Sequence, residues 1–562
     1  MKHGFFYLLS TLLLSIVALF VEFALPGSRW AEAVYYLDFL ILFLLLLELA
    51  SQLRSAPFLG TFLRENIPQL LFLLVFVALF FYNKIFFPGG DARELSKIGF
   101  GVVFLRNIFI LLKVFSRLKR LSSFFESISA QPAQTILFSF LMVILTGALA
   151  LMMPFSTVDG QGLNFLDALF TATSAVCVTG LIVVDTATFF TVWGQLIILS
   201  LIQIGGLSIM VISYFTIFSV RQKVSFQDKL LLSYMLSEQN ISMLARRLRI
   251  IIVSTLSIEA IGAMLLWFPF RHGVESWQQG LLWSVFHSVS AFCNAGFALF
   301  SNSMEDYVAN PLVSLTIPLL IIMGGISFAV ISDIFQITRS RIKALFKPGG
   351  GPHRRIALNS YVVAVATPIL IITGMFLFYG LEHSRSLAEL ETGTQYLASF
   401  FQSVTLRTAG FNTVSIAELS VTTLLVMVPF MFIGAASGST AGGIKINNLA
   451  VILVYLKSVL LSRDSVILRA HSIDLSHVNK AFLVFFFGIF SITLGTIVLS
   501  LSEAAPLEGI IFEVVSAFGT VGLSTGLTSE LSSLGKGMII LLMFVGRLGP
   551  LTILAAAAQP AP

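Results

Sequence analysis

The chain has 562 residues, 57% of them hydrophobic and 11% charged, with a mean hydropathy of +0.95. Soluble domains carry roughly 25% charged residues, so a soluble globular protein is excluded, and the apolar runs that recur from end to end are those of a helical integral membrane protein. The net charge of +6 is assigned to basic cytoplasmic loops rather than to nucleic-acid binding, and two cysteines, Cys177 and Cys293, imply no disulfide framework.

In chain order, the first quarter holds four apolar segments, near 4–25, 32–52, 66–87 and 98–118. The first follows Met1-Lys2-His3 without a small-residue cleavage site and a polar continuation. It is therefore expected to be a spanning helix rather than a signal peptide, with the N-terminus cytoplasmic. Arg106, Lys113, Arg117 and Arg120 share one rough face of the fourth segment, with Asp38 and Glu48 as candidate countercharges, as in a voltage-sensing bundle. The spacing is not the strict three of such a sensor, and an accessory lipid-facing or oligomer-packing bundle is the plainer reading.

From Leu121 to Val220 there is no Lys or Arg. Basic clusters then follow at Arg221, Lys223, Lys229, Arg246, Arg247 and Arg249, and at Arg339, Arg341, Lys343, Lys347, Arg354 and Arg355. Basic residues mark cytoplasmic loops, so each stretch between clusters must cross the membrane and return. The outer turns, near 157–190 and 272–310, carry Asp159, Asp167, Asp185, Glu275, Glu305 and Asp306 and predict an acidic outer face. Each excursion exceeds what two helices need, and the surplus includes a segment of about 12 residues, too short to span.

That surplus repeats. Phe170 to Gly180, Phe286 to Gly296, Phe400 to Gly410 and Phe512 to Gly522 each place a Phe ten residues before a Gly, with mostly small or hydroxylated residues between. The glycines are 116, 114 and 112 residues apart. Non-helical backbone at membrane depth survives only when buried in protein or lining a watery cavity. A short pore helix leading into a glycine turn directs backbone carbonyls at a dehydrated cation. Four such units predict a pore with a pseudo-fourfold axis.

The four segments Val178-Thr179-Gly180, Asn294-Ala295-Gly296, Arg407-Thr408-Ala409-Gly410 and Gly519-Thr520-Val521-Gly522 resemble the filter sequences of the Trk/Ktr/HKT superfamily of potassium transporters. The bacterial KtrB and TrkH subunits are the members most similar. The resemblance covers about 130–562. It implies an all-α polytopic membrane protein with four M1–pore helix–M2 repeats around a pseudo-fourfold pore, plus four extra N-terminal transmembrane helices. The expected divisions are an accessory region at 1–130 and repeats at 131–245, 246–355, 356–475 and 476–562. Implied filter residues are Val178, Thr179, Gly180, Asn294, Ala295, Gly296, Thr408, Ala409, Gly410, Thr520, Val521 and Gly522.

Two further motifs carry the resemblance. Gly434, Ala435, Ala436, Ser437, Gly438, Ser439, Thr440, Ala441, Gly442 and Gly443, followed by Ile444 and Lys445, are similar to the intramembrane loop that gates the path below the filter. Gly546 to Thr552 is similar to the fourth repeat's second helix, whose Arg, here Arg547, reaches into the pore. The rival readings are a packing kink for the first and a snorkelling side chain for the second. A phosphate loop is excluded, because no Lys follows the last Gly. Arg407 is expected to act electrostatically or structurally behind the filter, and Cys177 and Cys293 to be small buried filler.

The resemblance implies K⁺ uptake through a channel-like pore in the bacterial plasma (inner) membrane, with K⁺ as the transported ion and no organic cofactor in the chain. A Na⁺-selective or Na⁺/K⁺ transporter of the same fold is the alternative. It also implies a homodimer on cytoplasmic RCK-type nucleotide-binding subunits. Seven scattered His without ligand spacing argue against a metal site. No nucleophile–base constellation indicates an enzyme.

Overall fold

The computed structural model describes residues 132–207, 244–273, 276–327, 356–463, 465–469, 471–549 and 552–553, with scattered positions at 40–49 and 330–340. The chain divides into two compact units, Met1–Ala130 and Gln131–Pro562. In the first, the described positions between Leu40 and Leu49 are helical. The expected N-terminal helices, including Asp38, Glu48, Arg106, Lys113, Arg117 and Arg120, otherwise lie outside the described residues. So do the basic residues Arg221, Lys223 and Lys229 and those from Arg339 to Arg355.

The second unit is helical and repeats one plan. Helix α1 (Pro132–Leu151), short α2 (Phe165–Val176) and α3 (Val192–Gly206) are followed by α4 (Leu244–Phe270), short α5 (Trp277–Cys293) and α6 (Pro311–Gly325). Then come α7 (Leu358–Glu382), short α8 (Thr392–Thr405) and α9 (Val421–Phe432), with α10 (Ile446–Leu460) continuing after an interruption. The last group is α11 (Leu475–Ser502), short α12 (Leu507–Gly519), one-turn α13 (Leu527–Glu530) and α14 (Ser533–Leu548). A two-residue hairpin, β1 (Ile467–Leu468) with β2 (His471–Ser472), sits between α10 and α11, pairing Ile467 with Ser472. Helix α4 begins at Leu244, so the repeat boundary expected at 245/246 falls just inside it. Leu, Ala and Arg at 244–249 are strong helix formers and extend the helix backwards.

Among the described residues, Ile251–Phe270, Leu358–Glu382 and Leu475–Ser502 are long and apolar enough to cross a membrane. Their outward faces are apolar: Phe376, Phe486 and Phe490 are all more than 60% exposed. In water such exposure opposes folding. In lipid it carries no penalty, and the chain is a multi-pass membrane protein. The short helices have 12, 17, 14 and 13 residues, and at about 1.5 Å per residue each falls short of a roughly 30 Å hydrocarbon core. The second exceeds the expected 12 because its first turn, capped by the Ser276 hydroxyl and bearing an exposed Trp277, extends beyond the buried part.

The packing closes on itself. The third helix of each group packs on the short helix of the next: α3 on α5, α6 on α8, and α9 on α12. Helix α14 returns to pack on α2. Phe170, Phe286 and Phe512 of the repeated motif are fully buried, whereas in the third repeat Phe401 is buried and Phe400 only partly so.

Candidate functional site: four glycine loops and the segment packed against them

Each short helix ends where its glycine loop begins. Two residues before each glycine the backbone is left-handed: Val178 (φ 57°), Asn294 (φ 61°), Thr408 (φ 70°) and Thr520 (φ 52°). Asn tolerates this region, but β-branched residues do not. Among the described residues, no β-branched residue outside these loops adopts it. Each such position costs about 1–3 kcal/mol and persists only where its surroundings enforce it. The enforcing bonds are regular: Thr179, Ala295 and Val521 each donate an N–H to the carbonyl of Ser174, Ser290 and Ser516, at 2.8 Å. The Ser174 and Ser516 hydroxyls also accept from the N–H of Gly180 and Gly522, both at 3.1 Å. The third loop has Val404 at this position, and Ala409 N–H bonds Thr405 O at 3.0 Å instead.

The glycines stand in cyclic order. A Cβ on Gly180 would lie 2.5 Å from Ala295 O, one on Gly296 2.8 Å from Ala409 O, and one on Gly410 2.6 Å from Val521 O. On Gly522 it would strike Thr179 O, which closes the ring. Glycine is required here for two reasons: φ is between 71° and 93° at all four, and the neighbouring backbone already occupies the side-chain space. The residues of all four loops are buried except Gly296, which is half-buried.

The interruption between α9 and α10 packs against this ring. Its two ends are joined, with Gly434 N–H donating to Ile444 O at 2.9 Å and Ile444 N–H to Phe432 O at 3.3 Å. Ala436 and Thr440 donate their N–H groups to Gly325 O and Gly324 O at the end of α6. The Thr440 hydroxyl reaches Phe292 O and Asn294 Oδ1, and Asn294 Nδ2 donates to Arg407 O at 3.3 Å. Gly442 lies against the Thr520 side chain. Ser437 and Gly438 form an exposed tip, while Gly434, Ala435, Ala436, Thr440, Ala441 and Gly442 are buried.

Three cations hold this segment. Arg407, 6% exposed, donates from Nη2 to Gly434 O at 3.3 Å. Lys445 Nζ donates to Ala441 O and, at 3.2 Å, to Gly442 O. Arg547, in the last turn of α14, donates from Nη1 to Thr440 O and from Nη2 to Gly205 O at the end of α3. Both Arg407 and Arg547 thus donate to backbone carbonyls of this segment. Cys177 and Cys293 are both free and buried.

Sequence reasoning missed the groups that tie the loops from outside. Asp185 Oδ2 accepts from the Ser301 hydroxyl at 2.5 Å, and Glu305 Oε1 from Asn412 Nδ2 at 2.8 Å, linking successive loops. Burial pushes the Glu305 carboxyl above its ordinary range, opposed by the Asn412 bond. Lys536 of α14 pairs with Asp167 of α2 at 2.6 Å, across the closure between last and first groups. His287 and Glu513 are fully buried in short helices. Among the described residues, no group of three or more His, Cys, Asp or Glu forms a metal site.

The family described as TrkH, cation transport protein, matches residues 103–562. The Ktr system potassium uptake protein B of Vibrio alginolyticus is 39% identical over 76% of this chain and 91% of its own length. Its Bacillus subtilis counterpart is 38% identical over 76% and 93%. The potassium/sodium uptake protein NtpJ of Enterococcus hirae is 36% identical over 75% and 92%. The crystal structure of the potassium transporter TrkH from Vibrio parahaemolyticus has the same fold at 17% identity, with a TM-score of 0.62 over 88% of this chain and 98% of that one. The chain is a transport protein rather than an enzyme: it belongs to the Trk/Ktr/HKT superfamily of cation transporters, with the bacterial TrkH and KtrB subunits.

Proposed function

We propose that the chain carries K⁺ into the cell through one pore per chain, lined by four repeats at about 131–245, 246–355, 356–475 and 476–562. The glycine loops serve as the selectivity filter. The observation carrying this reading is the cyclic contact of Gly180, Gly296, Gly410 and Gly522 through the carbonyls of Thr179, Ala295, Ala409 and Val521. Those oxygens replace the hydration shell of a dehydrated cation. The C-terminal ends of α2, α5, α8 and α12 each contribute about half a negative charge. At about 8 Å and an effective dielectric near 20, the four together attract a cation by about 4 kcal/mol.

The 434–443 segment, with Lys445 and Arg547, is the gate. Its bonds to Gly205, Gly324 and Gly325 span the ends of two helices that border the path, and its exposed tip Ser437-Gly438 leaves it room to withdraw. The chain acts as a homodimer in the bacterial inner membrane, with RCK-type nucleotide-binding subunits on its cytoplasmic face, as the family resemblance implies. The relationship to a potassium/sodium uptake protein supports one second reading, a mixed Na⁺/K⁺ transporter.

Flux of K⁺, Rb⁺ and Na⁺ into proteoliposomes tests both readings. The wild type is expected to prefer K⁺ and Rb⁺ over Na⁺. Gly296→Ser places a Cβ on Ala409 O and should reduce K⁺ preference about tenfold, the effect of roughly 1.4 kcal/mol of lost discrimination. An unchanged preference in this variant and in Gly180→Ser would remove these loops as the filter.

A further inference from the structure

The position after the repeated Phe holds Thr171, His287, Phe401 and Glu513 in the four short helices. In two of them the side chain performs the same task with different chemistry. Glu513 Oε1 accepts the backbone N–H of Thr525 at 3.0 Å, and Thr525 lies three residues past Gly522. His287 Nε2 accepts the backbone N–H of Leu299 at 3.1 Å, and Leu299 lies three residues past Gly296. The Thr171 hydroxyl has no partner, and Phe401 has no polar group to offer.

The surroundings of His287 define its state. Nδ1 lies 2.7 Å from Trp283 O, which only accepts, and Nε2 faces the Leu299 N–H, which only donates. The ring is therefore neutral, with its proton on Nδ1 and a lone pair on Nε2. It stacks on Phe300 at 4.7 Å and 13°, with Phe270 edge-on at 5.3 Å. Loss of the acceptor would leave a buried N–H without a partner, on the strand that continues directly from the glycine turn.

We propose that His287 is a positioning residue for ion selectivity: it pins the strand leaving the second glycine loop, as Glu513 pins the strand leaving the fourth. Opposite walls of the ring thereby gain a strut from the position after the repeated Phe, which the first and third walls lack; beyond their glycines Asp185 accepts from Ser301, and Asn412 donates to Ser303 and Glu305. This rests on reading the glycine loops as the filter.

The test compares Na⁺/K⁺ flux ratios in proteoliposomes for wild type, His287→Phe, His287→Gln and Gly296→Ser. Phe preserves the aromatic packing and removes the acceptor. Gln can set its Oε1 where Nε2 stood. His287→Phe should raise the ratio about fivefold, the scale of one unmade buried hydrogen bond, and His287→Gln should stay within about twofold of wild type. If His287→Phe is not recovered folded, His287→Leu fills much of the space without an acceptor and takes its place. A wild-type ratio in His287→Phe alongside a changed ratio in Gly296→Ser would overturn the strut and leave the filter standing. Equal shifts in the Phe and Gln variants would make His287 core packing and also overturn it. An unchanged ratio in Gly296→Ser itself would instead refute the filter reading.

Discussion

Arg547→Gln is the perturbation that most directly separates a gate from a packed kink. Arg547 bridges the 434–443 segment at Thr440 O and the end of α3 at Gly205 O. Hydrogen bonds from a charged donor contribute about 1.5–3 kcal/mol each, against about 1 kcal/mol for a neutral one. A shorter glutamine amide keeps at most one neutral bond, so the tether weakens by about 2 kcal/mol or more. Some of this is not transmitted, because Ala436 N–H, Arg407 and Lys445 still hold the segment. On the proposed gate, the substitution also removes a cation beside the ion path, which adds at most about 1 kcal/mol of barrier relief after screening. A net gain of about 1–2 kcal/mol corresponds to a roughly five- to thirtyfold faster K⁺ flux. The assay is flux per folded protein in proteoliposomes, with the Na⁺/K⁺ ratio measured in parallel and expected to stay near wild type. Arg547→Lys keeps the charge and loses the fork, so a flux between wild type and Arg547→Gln would show the tether at work. No increase in a well-folded Arg547→Gln would refute both the tether and the barrier.

Deleting Ala435–Thr440 removes the bonds to Gly324, Gly325 and Asn294 together. The folded deletion protein should conduct K⁺ faster than wild type at unchanged selectivity, and a wild-type rate would reduce the segment to packing. Lys536→Met leaves Asp167 partly buried without its cation, a loss of about 1–3 kcal/mol for a partly buried pair. It should lower the thermal midpoint of the detergent-solubilised protein, with Asp167→Asn in the same chain recovering part of the loss. Additive losses in the double variant would show that the pair makes no coupled contribution.

The glycine loops were legible because a Phe-to-Gly interval repeated four times leaves a mark in any linear reading. The left-handed turn two residues earlier was not. Val178, Thr408 and Thr520 are residue types that local preference steers away from that conformation, and only the bonds to the preceding helix turn enforce it. The break between α9 and α10 was visible as a run of small residues. Its closure pairs Gly434 with Ile444 outside any helical spacing, and its attachment to α6 depends on partners more than 100 residues away. His287 and Glu513 read as isolated titratable residues, because the N–H groups they accept lie twelve positions downstream, beyond any helical spacing. Lys536 and Asp167 are 369 residues apart, and nothing local marks them as a pair.

The return of α14 onto α2 has a consequence for synthesis of the protein. Gly180 and Gly522 are neighbours in the ring but 342 residues apart in the chain. At roughly 5–20 residues per second, ribosomal elongation leaves an interval on the order of tens of seconds between them. Throughout that time the nascent protein has at most three walls and an open side. The Thr179 carbonyl faces an absent neighbour, while the strained turns at Val178 and Thr408 already have the bonds from their own helix ends. Ring completion therefore waits for the fourth repeat, whose last helix then brings in Arg547 and Lys536. A chain truncated before α12 lacks the fourth glycine and cannot close the ring.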